Sequence, residues 1–262
     1  MKFKTKWWSS LVVVYLLATV AAASEDKVIV IENCRVFEPE SGLMSPERTI
    51  VIHGSQIVSV DEPGDVDPIS IDATRIDGKG KFALPGLIDA HVHVVHVLDF
   101  AHVTGDEILP LFLAAGVTSI RSTGDEIVAA TLVSRFAEAH PESSPRVFTC
   151  SPLLDANPPI HRDIGRAVTD PAEVPALFEE LASWNVSTVK IYAGTSRPVG
   201  KAIIDEGHRR GLFVTAHLGN YSAQDAVADG IDGLEHIWSV FNYSFPPDAT
   251  TEPGYRGRLD LN

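Results

Sequence analysis

The feature that most limits what this chain can fold into begins after Pro85-Gly86, where short apolar runs alternate with amphipathic stretches of helical length. Strands are predicted at residues 87–91, 117–121, 146–151, 188–192, 213–217 and 233–237. Between them, "DEILPLFLAAG", "IVAATLVSRFAEAH", "PAEVPALFEELASWN", "GKAIIDEGHRRG" and "SAQDAVADG" carry apolar residues at helical spacing. Asp106 and Asp170 are placed to cap helices, and Gly116, Gly211 and Gly230 to stop them. Such alternation implies a parallel sheet covered by helices, either a barrel or a doubly wound sheet. No G-x-G-x-x-G follows the first strand and no P-loop is present, which counts against a nucleotide-binding sheet. Both architectures place their chemistry at the C-terminal ends of the strands. The segment 152–169 is predicted as a long loop, a kind that often carries function.

The texture before residue 86 is different. From Val28 to Phe82 the runs "KVIVIENCRVF", "RTIVIHGSQIVSV" and "ISIDATRIDGKGKF" are separated by turn residues at Pro39-Glu-Ser-Gly, Gly54-Ser and Pro63-Gly. They predict a small antiparallel β unit, with His53 beside Gly54 as a turn residue. Residues 1–23 have the form of an export signal: Lys2, Lys4 and Lys6, an apolar core from Leu11 to Ala21, and a small-residue site at Ala21-Ala22-Ala23. The 17 residues from Trp7 to Ala23 include Ser9 and Ser10 and are short for a membrane span. The expected arrangement is a signal peptide at 1–23, a β portion at 24–86 and a βα portion at 87–262. Export to a periplasm or the extracellular medium is expected, with no stable membrane span after cleavage.

Charge narrows the partners. Lys plus Arg number 21 against 35 Asp plus Glu, for a net charge of −14, and no basic patch is interleaved with aromatics. Such a surface repels phosphate backbones, so a nucleic-acid partner is not expected. Cys34 and Cys150 lack the C-x-x-C spacing of a zinc or redox site and are predicted as small buried residues. Asn185, Asn220 and Asn242 each begin an N-x-S sequon, which has meaning only in a eukaryotic secretory route.

The strand ends carry the chemistry. "ALPGLIDAHVHVV" sets His91 and His93 two apart, on one face of a strand, with Asp89 in the same parity. "STVKIYAG" carries Lys190 inside an apolar strand, "LFVTAHLG" ends in His217, and "DGLEHIWS" carries His236. Any one of these histidines could be a hydrogen-bonded rim residue. Four at separate strand ends, converging with a lysine if the strands form a barrel, are harder to attribute to accident. A buried lysine carries a large desolvation cost unless neutralised, and a neutral amine can take up carbon dioxide as a carbamate. Imidazoles and an anionic oxygen ligand together suit divalent cations, zinc among them. His96, His102, His140, His161 and His208 fall away from strand ends.

Taken together, "IDGKGKFALPGLIDAHVHV", "VKIYAG", "TAHLG" and "GLEHI" resemble the amidohydrolase superfamily, in the branch with a carboxylated lysine and near imidazolonepropionases and prolidases. The resemblance spans roughly residues 28–240. It implies an α/β fold, a TIM-like (β/α)8 barrel flanked by a β-sandwich. Here the barrel would be incomplete, with about six βα units after an N-terminal part of the sandwich. It further implies that His91 and His93 bind a first divalent metal and His217 and His236 a second, with Lys190 as bridging carbamate. The metals would be two zinc ions, with manganese or iron as alternatives. The implied activity is hydrolysis of a carbon–nitrogen bond in a small amide or dipeptide by a metal-activated hydroxide. In the family an aspartate at the eighth strand moves the proton, and no match for it is found; Asp248 and Asp260 lie in a Pro/Gly-rich stretch. Residues 87–262 are also fewer than the roughly 250 of a complete barrel. The alternatives are an inactive remnant that binds metal or ligand, and a plain βα domain with incidental histidines.

Overall fold

The structure, a computed structural model, describes residues 27–64, 72–237 and 239–240. The export segment at 1–23, the sequon at Asn242, and Asp248 and Asp260 lie outside the described residues. The chain divides into two compact units, Met1–Pro85 and Gly86–Asn262.

In the first unit β1 (Val28–Glu38) pairs antiparallel with β2 (Leu43–His53), which pairs antiparallel with β3 (Gln56–Asp61). A two-residue turn joins β2 to β3, and Gly54 takes the positive φ of 59° that such turns require. The other edge of β1 is covered by β4 (Thr74–Asp77) and β5 (Phe82–Ala83), both parallel to it. The sheet is therefore mixed, not wholly antiparallel, because the chain returns to the far edge of β1 after β3. Val30, Cys34, Ile50 and Val51 are its buried apolar residues.

The second unit begins with β6 (Leu87–Val92), α1 (Val94–Ala101), α2 (Gly105–Ala114), β7 (Val117–Ser122) and α3 (Ile127–Ala139). The strand predicted at 146–151 breaks at Thr149 into β8 (Arg146–Phe148), which pairs with β7, and β9 (Cys150–Asp155), which pairs with β11. Burial of Leu153 and Leu154 carries the strand to Asp155, and β10 (Gly165–Ala167) lies along its other edge. The long loop expected at 152–169 thus shrinks to 156–164. There follow α4 (Val174–Ala182), β11 (Thr188–Ile191), α5 (Arg197–Arg209), β12 (Phe213–Ala216), α6 (Ala223–Ala228) and β13 (Gly233–Leu234).

Leaving aside β10, the parallel strands are paired in chain order, β6–β7–β8 and β9–β11–β12–β13. A doubly wound sheet reverses direction at a switch point, whereas sequential order belongs to a (β/α) barrel. The described residues supply six of its strands, counting β8 and β9 as one.

Two apolar layers fix which face of each strand points inward. Val92, Val94, Ile120 and Val147 pack with Leu109 and Ala137 under α1, α2 and α3. Leu154, Val189, Ile191, Val214 and Ala216 pack with Phe178, Ile203 and Ile204 under α4 and α5. Since side chains alternate along a strand, residues 91, 93, 121, 190, 215 and 217 face the interior. Helix ends mostly follow the expected chemistry. Asp170 accepts from Ala172 N (2.9 Å) ahead of α4, and Gly116, Gly211 and Gly230 all have positive φ. Asp106 is not a cap. Thr104 precedes α2, and its N–H donates to Glu107 (2.8 Å), leaving Asp106 in the first turn, where an acid favours the positive end of the helix. Helix α1 was not anticipated. Cys34 and Cys150 are buried and unpaired. Among the described residues no helix is long and apolar enough to cross a membrane.

Helix α5 approaches Tyr221 closely through Gly200, where a Cβ would lie 2.5 Å from the ring. Gly200→Val should destabilise the fold by about 1–3 kcal/mol through overpacking. Urea unfolding checks this: a midpoint equal to that of the wild type would show the contact to be unimportant.

Candidate functional site

The inward-facing residues at the strand ends meet. His91 and His93 rings lie 5.4 Å apart between centroids, His91 and His236 4.5 Å, and His217 and His236 4.6 Å. Side chains from the first and sixth strands therefore touch, which curls the sheet into an arc with the four imidazoles inside. His236 reaches this cluster by breaking alternation. The strand stops at Leu234, short of the 237 expected, and His236 adopts a left-handed φ of 62°, so Glu235 and His236 both face the site.

Lys190 is 0% exposed, and its Nζ has no hydrogen-bond partner. Burial lowers the pKa of its ammonium to about 8, although Glu235 and Cys150 pull the other way. Burial also depresses His217 and His236 to about 4 each, reinforced at His217 by His236 and Lys190, and at His236 by His91 and Lys190. His93 is lowered chiefly by burial, against the opposing charge of Asp125. These three imidazoles are neutral at pH 7.

Hydrogen bonds fix the tautomers of the pair on β6. His93 Nδ1 lies 3.1 Å from the Gly124 carbonyl, which can only accept, so Nδ1 carries the proton and Nε2 the lone pair. His91 Nδ1 lies 2.6 Å from Glu235 Oε2. Burial alone would raise the pKa of Glu235, but the His91 hydrogen bond, the Lys190 charge, Thr215 and Arg121 bring it down to about 2. An ionised carboxylate only accepts, so His91 also carries its proton on Nδ1.

Asp125 is fully buried behind His93, 4.0 Å from Nδ1. It accepts from Val95 N and His96 N (both 3.2 Å) and from the Ser122 hydroxyl, capping α1 from outside the helix and so anchoring the turn that carries His93. On the other side, the Tyr192 ring meets His217 at 4.7 Å and His161 at 5.5 Å.

The residues fit divalent cations by their chemistry: a pair of imidazoles on β6 whose Nδ1 atoms are engaged by oxygen acceptors, two more imidazoles opposite, and an orphaned amine among them. In spacing they are not yet a coordination shell. The rings stand edge to face, and among the described residues no three His, Cys, Asp or Glu side chains are grouped to hold an ion.

Sequence reasoning placed His91, His93, Lys190, His217 and His236 at strand ends, and the structure brings all five to one region. It missed Glu235, Arg121 and Asp125. The signal for the first two was available, since each is a charged residue within a segment predicted as a strand, 117–121 and 233–237, the argument already applied to Lys190. It set aside His161, which lies in segment 156–164 and joins the ring contacts through Tyr192. Asp125 left no signal, because its role depends on a helix that was not anticipated.

The amidohydrolase family matches residues 82–247, and the chain belongs to that family. It is 33% identical over 90 residues to an imidazolonepropionase of Rubrobacter xylanophilus, covering 33% of this chain and 21% of that one. It is 25% identical over 211 residues to an adenine deaminase of Chelativorans sp., covering 77% and 34%. The chain thus spans about a third or less of the length of these curated relatives. Among solved structures it resembles a prolidase complexed with N-methylphosphonate-L-proline (24% identity, TM-score 0.64, 80% of this chain and 61% of that one). It also resembles an A. niger ochratoxinase (17% identity, TM-score 0.64, 81% and 61%). These likenesses establish the fold.

Asp125→Ala should leave two N–H groups of α1 without their acceptor and cost about 1–3 kcal/mol in chemical denaturation. An unchanged unfolding curve would show that α1 does not depend on this cap.

Proposed function

We propose that the site hydrolyses a carbon–nitrogen bond of a small amide, peptide-like or cyclic. His91 and His93 would hold one divalent cation and His217 and His236 a second, with Lys190 between them as a carbamate. Zinc is the first candidate metal, ahead of manganese or iron.

The observation that carries this reading is the Lys190 amine, fully buried, without a hydrogen-bond partner, and among neutral imidazoles. An ordinary structural lysine in such a place would be ion-paired. The carboxylate whose charge acts on it, Glu235, is already taken up by His91, Arg121 and Thr215. A neutral amine instead attacks carbon dioxide, forming an N–C bond and releasing one proton to leave an anionic carbamate. That gives two oxygen ligands where the protein otherwise offers only nitrogen.

Bound divalent cations would polarise a substrate carbonyl and make water nucleophilic near neutral pH. The chain's own residues do the rest. His91 and His93 present fixed Nε2 lone pairs, Asp125 anchors the turn beneath them, and burial holds His217 and His236 unprotonated and so able to donate. Family membership supports metal use, which is general among amidohydrolases. The similar proteins, described as a prolidase, a Xaa-Pro dipeptidase, an adenine deaminase and a molinate hydrolase, support carbon–nitrogen chemistry and differ widely in what they act on.

The test combines metal content with lysine chemistry. Protein supplied with zinc and ¹³C-bicarbonate should retain the metal and show a carbamate carbon resonance that is absent from Lys190→Ala. His91→Ala/His93→Ala should lose one of the two ions with helix content preserved. Hydrolysis is then read on a panel of dipeptides and cyclic amides. Unchanged metal content in the double variant, or a Lys190 that stays a bare amine in zinc-loaded protein, would refute the assignment.

A further inference from the structure

Glu235 was not among the expected ligands, yet its carboxylate accepts from three side chains on three different strands. Its Oε1 accepts from Arg121 Nη2 (2.6 Å) and Thr215 Oγ1 (2.7 Å), and its Oε2 from His91 Nδ1 (2.6 Å). Its backbone is held as firmly: the N–H donates to Ala216 O (2.8 Å) and the carbonyl accepts from Ser239 Oγ (2.8 Å). Arg121 in turn donates from Nε to the carbonyl of Ala90 (2.8 Å), the residue before His91. Ala90, His91, Glu235 and Arg121 thus close a ring of contacts that grips His91 by both its side chain and its backbone. The ring joins β6 and β7 to the residue that follows β13, with Thr215 adding β12.

We infer that Glu235 is a positioning residue that fixes the orientation and tautomer of His91, and so couples the His91/His93 half of the site to the turn that carries His236. The metal part of this inference rests on the proposed function above; the tautomer part does not. Because a carboxylate only accepts, it compels the proton onto Nδ1 and directs the Nε2 lone pair away from itself. A glutamine of the same shape could either accept from Nδ1 or donate to it, so it would hold the ring without choosing the tautomer. Chain adjacency suggests that Glu235 serves its neighbour His236. The contacts say that it serves His91, on the opposite side of the arc. Partners of this kind typically change metal affinity by about 10–100-fold when removed.

The experiment uses the full chain, ¹⁵N-labelled at histidine. Long-range ¹H–¹⁵N spectra without added metal read which nitrogen of His91 is protonated, with His91→Asn supplying the assignment. The wild type should show the proton on Nδ1, and Glu235→Gln a mixture of tautomers. Zinc titrations then separate the two halves. In a His217→Ala background, Glu235→Gln should weaken zinc binding about 10–100-fold; in a His93→Ala background it should leave zinc binding unchanged. Should Glu235→Gln fail to fold, Thr215→Val, which removes one anchor of the carboxylate, should weaken zinc in the same background while the wild-type spectrum still decides the tautomer. A proton on Nε2 of His91 in the wild type would overturn the inference, as would a zinc effect confined to the His93→Ala background. A wild type that binds no zinc but keeps the Nδ1 proton, lost to a mixture in Glu235→Gln, would sink the metal reading and leave the positioning role standing.

Discussion

A lysine side chain taken wholly out of water must be paired, lose its proton, or be converted into another group, because an isolated buried ammonium costs too much to keep. Lys190 sits in the middle of β11 with Val189 and Ile191 turned to the helix layer on either side of it. Its alternation with those residues leaves the amine only the interior of the arc to occupy. There it meets imidazoles, which at neutral pH offer no negative charge, and a glutamate whose oxygens are already engaged. Burial lowers its pKa from the ordinary 10.5 to about 8, which favours the neutral amine over the ammonium. His93, His217 and His236 all lie close enough to feel the charge of that amine.

The separation of duties across the sheet makes such a centre tolerable. The outward faces of the strands pack with the helices as an apolar layer, while Lys190 and Arg121 take the inward faces of β11 and β7. Bringing half-buried Arg121 together with buried Glu235 and Lys190 gains little stability in itself, since desolvation offsets much of the attraction between such charges. What such a cluster does supply is geometry. Arg121 and Glu235 link strands that are not neighbours in the sheet, and the carbonyl of Ala90 completes the link through the backbone. Curvature brings the strand ends together, and the charged contacts set which atoms face which.

The sequence made the fold class legible because helix and strand periods alternate cleanly after Gly86. Alternation within the strands then made the five candidate residues legible, since a histidine or lysine on the inner face breaks an otherwise apolar pattern. The features that were not legible depend on local exceptions to period. His236 faces the site only because the strand ends at Leu234 and the next turn is left-handed. A strict period of two would have put Glu235 and His236 on opposite faces. The division of the third strand into β8 and β9 follows from pairing with different neighbours, which no single-strand pattern records. Asp125 is the furthest from sequence, because a carboxylate that caps a helix beginning some thirty positions earlier is a tertiary fact.

A second buried carboxylate fixes what stands beside the imidazoles. Asp155, fully buried at the end of β9, accepts from Ala156 N (2.9 Å), Ile160 N (2.8 Å) and Gly194 N (2.7 Å). One carboxylate therefore ties the segment 156–164 to the turn after β11, and a Cβ at Gly194 would lie only 2.6 Å from its Oδ1. That tether holds His161 beside Tyr192, and Tyr192 beside His217. The strand-end imidazoles are fixed by the sheet, but what stands over them is fixed by this loop. Solved structures as differently described as a prolidase and an ochratoxinase share the sheet with this chain at 24% and 17% identity. Because the Asp155 hydrogen bonds in this segment are made to backbone N–H groups, side chains within 156–164 can vary while their path is preserved.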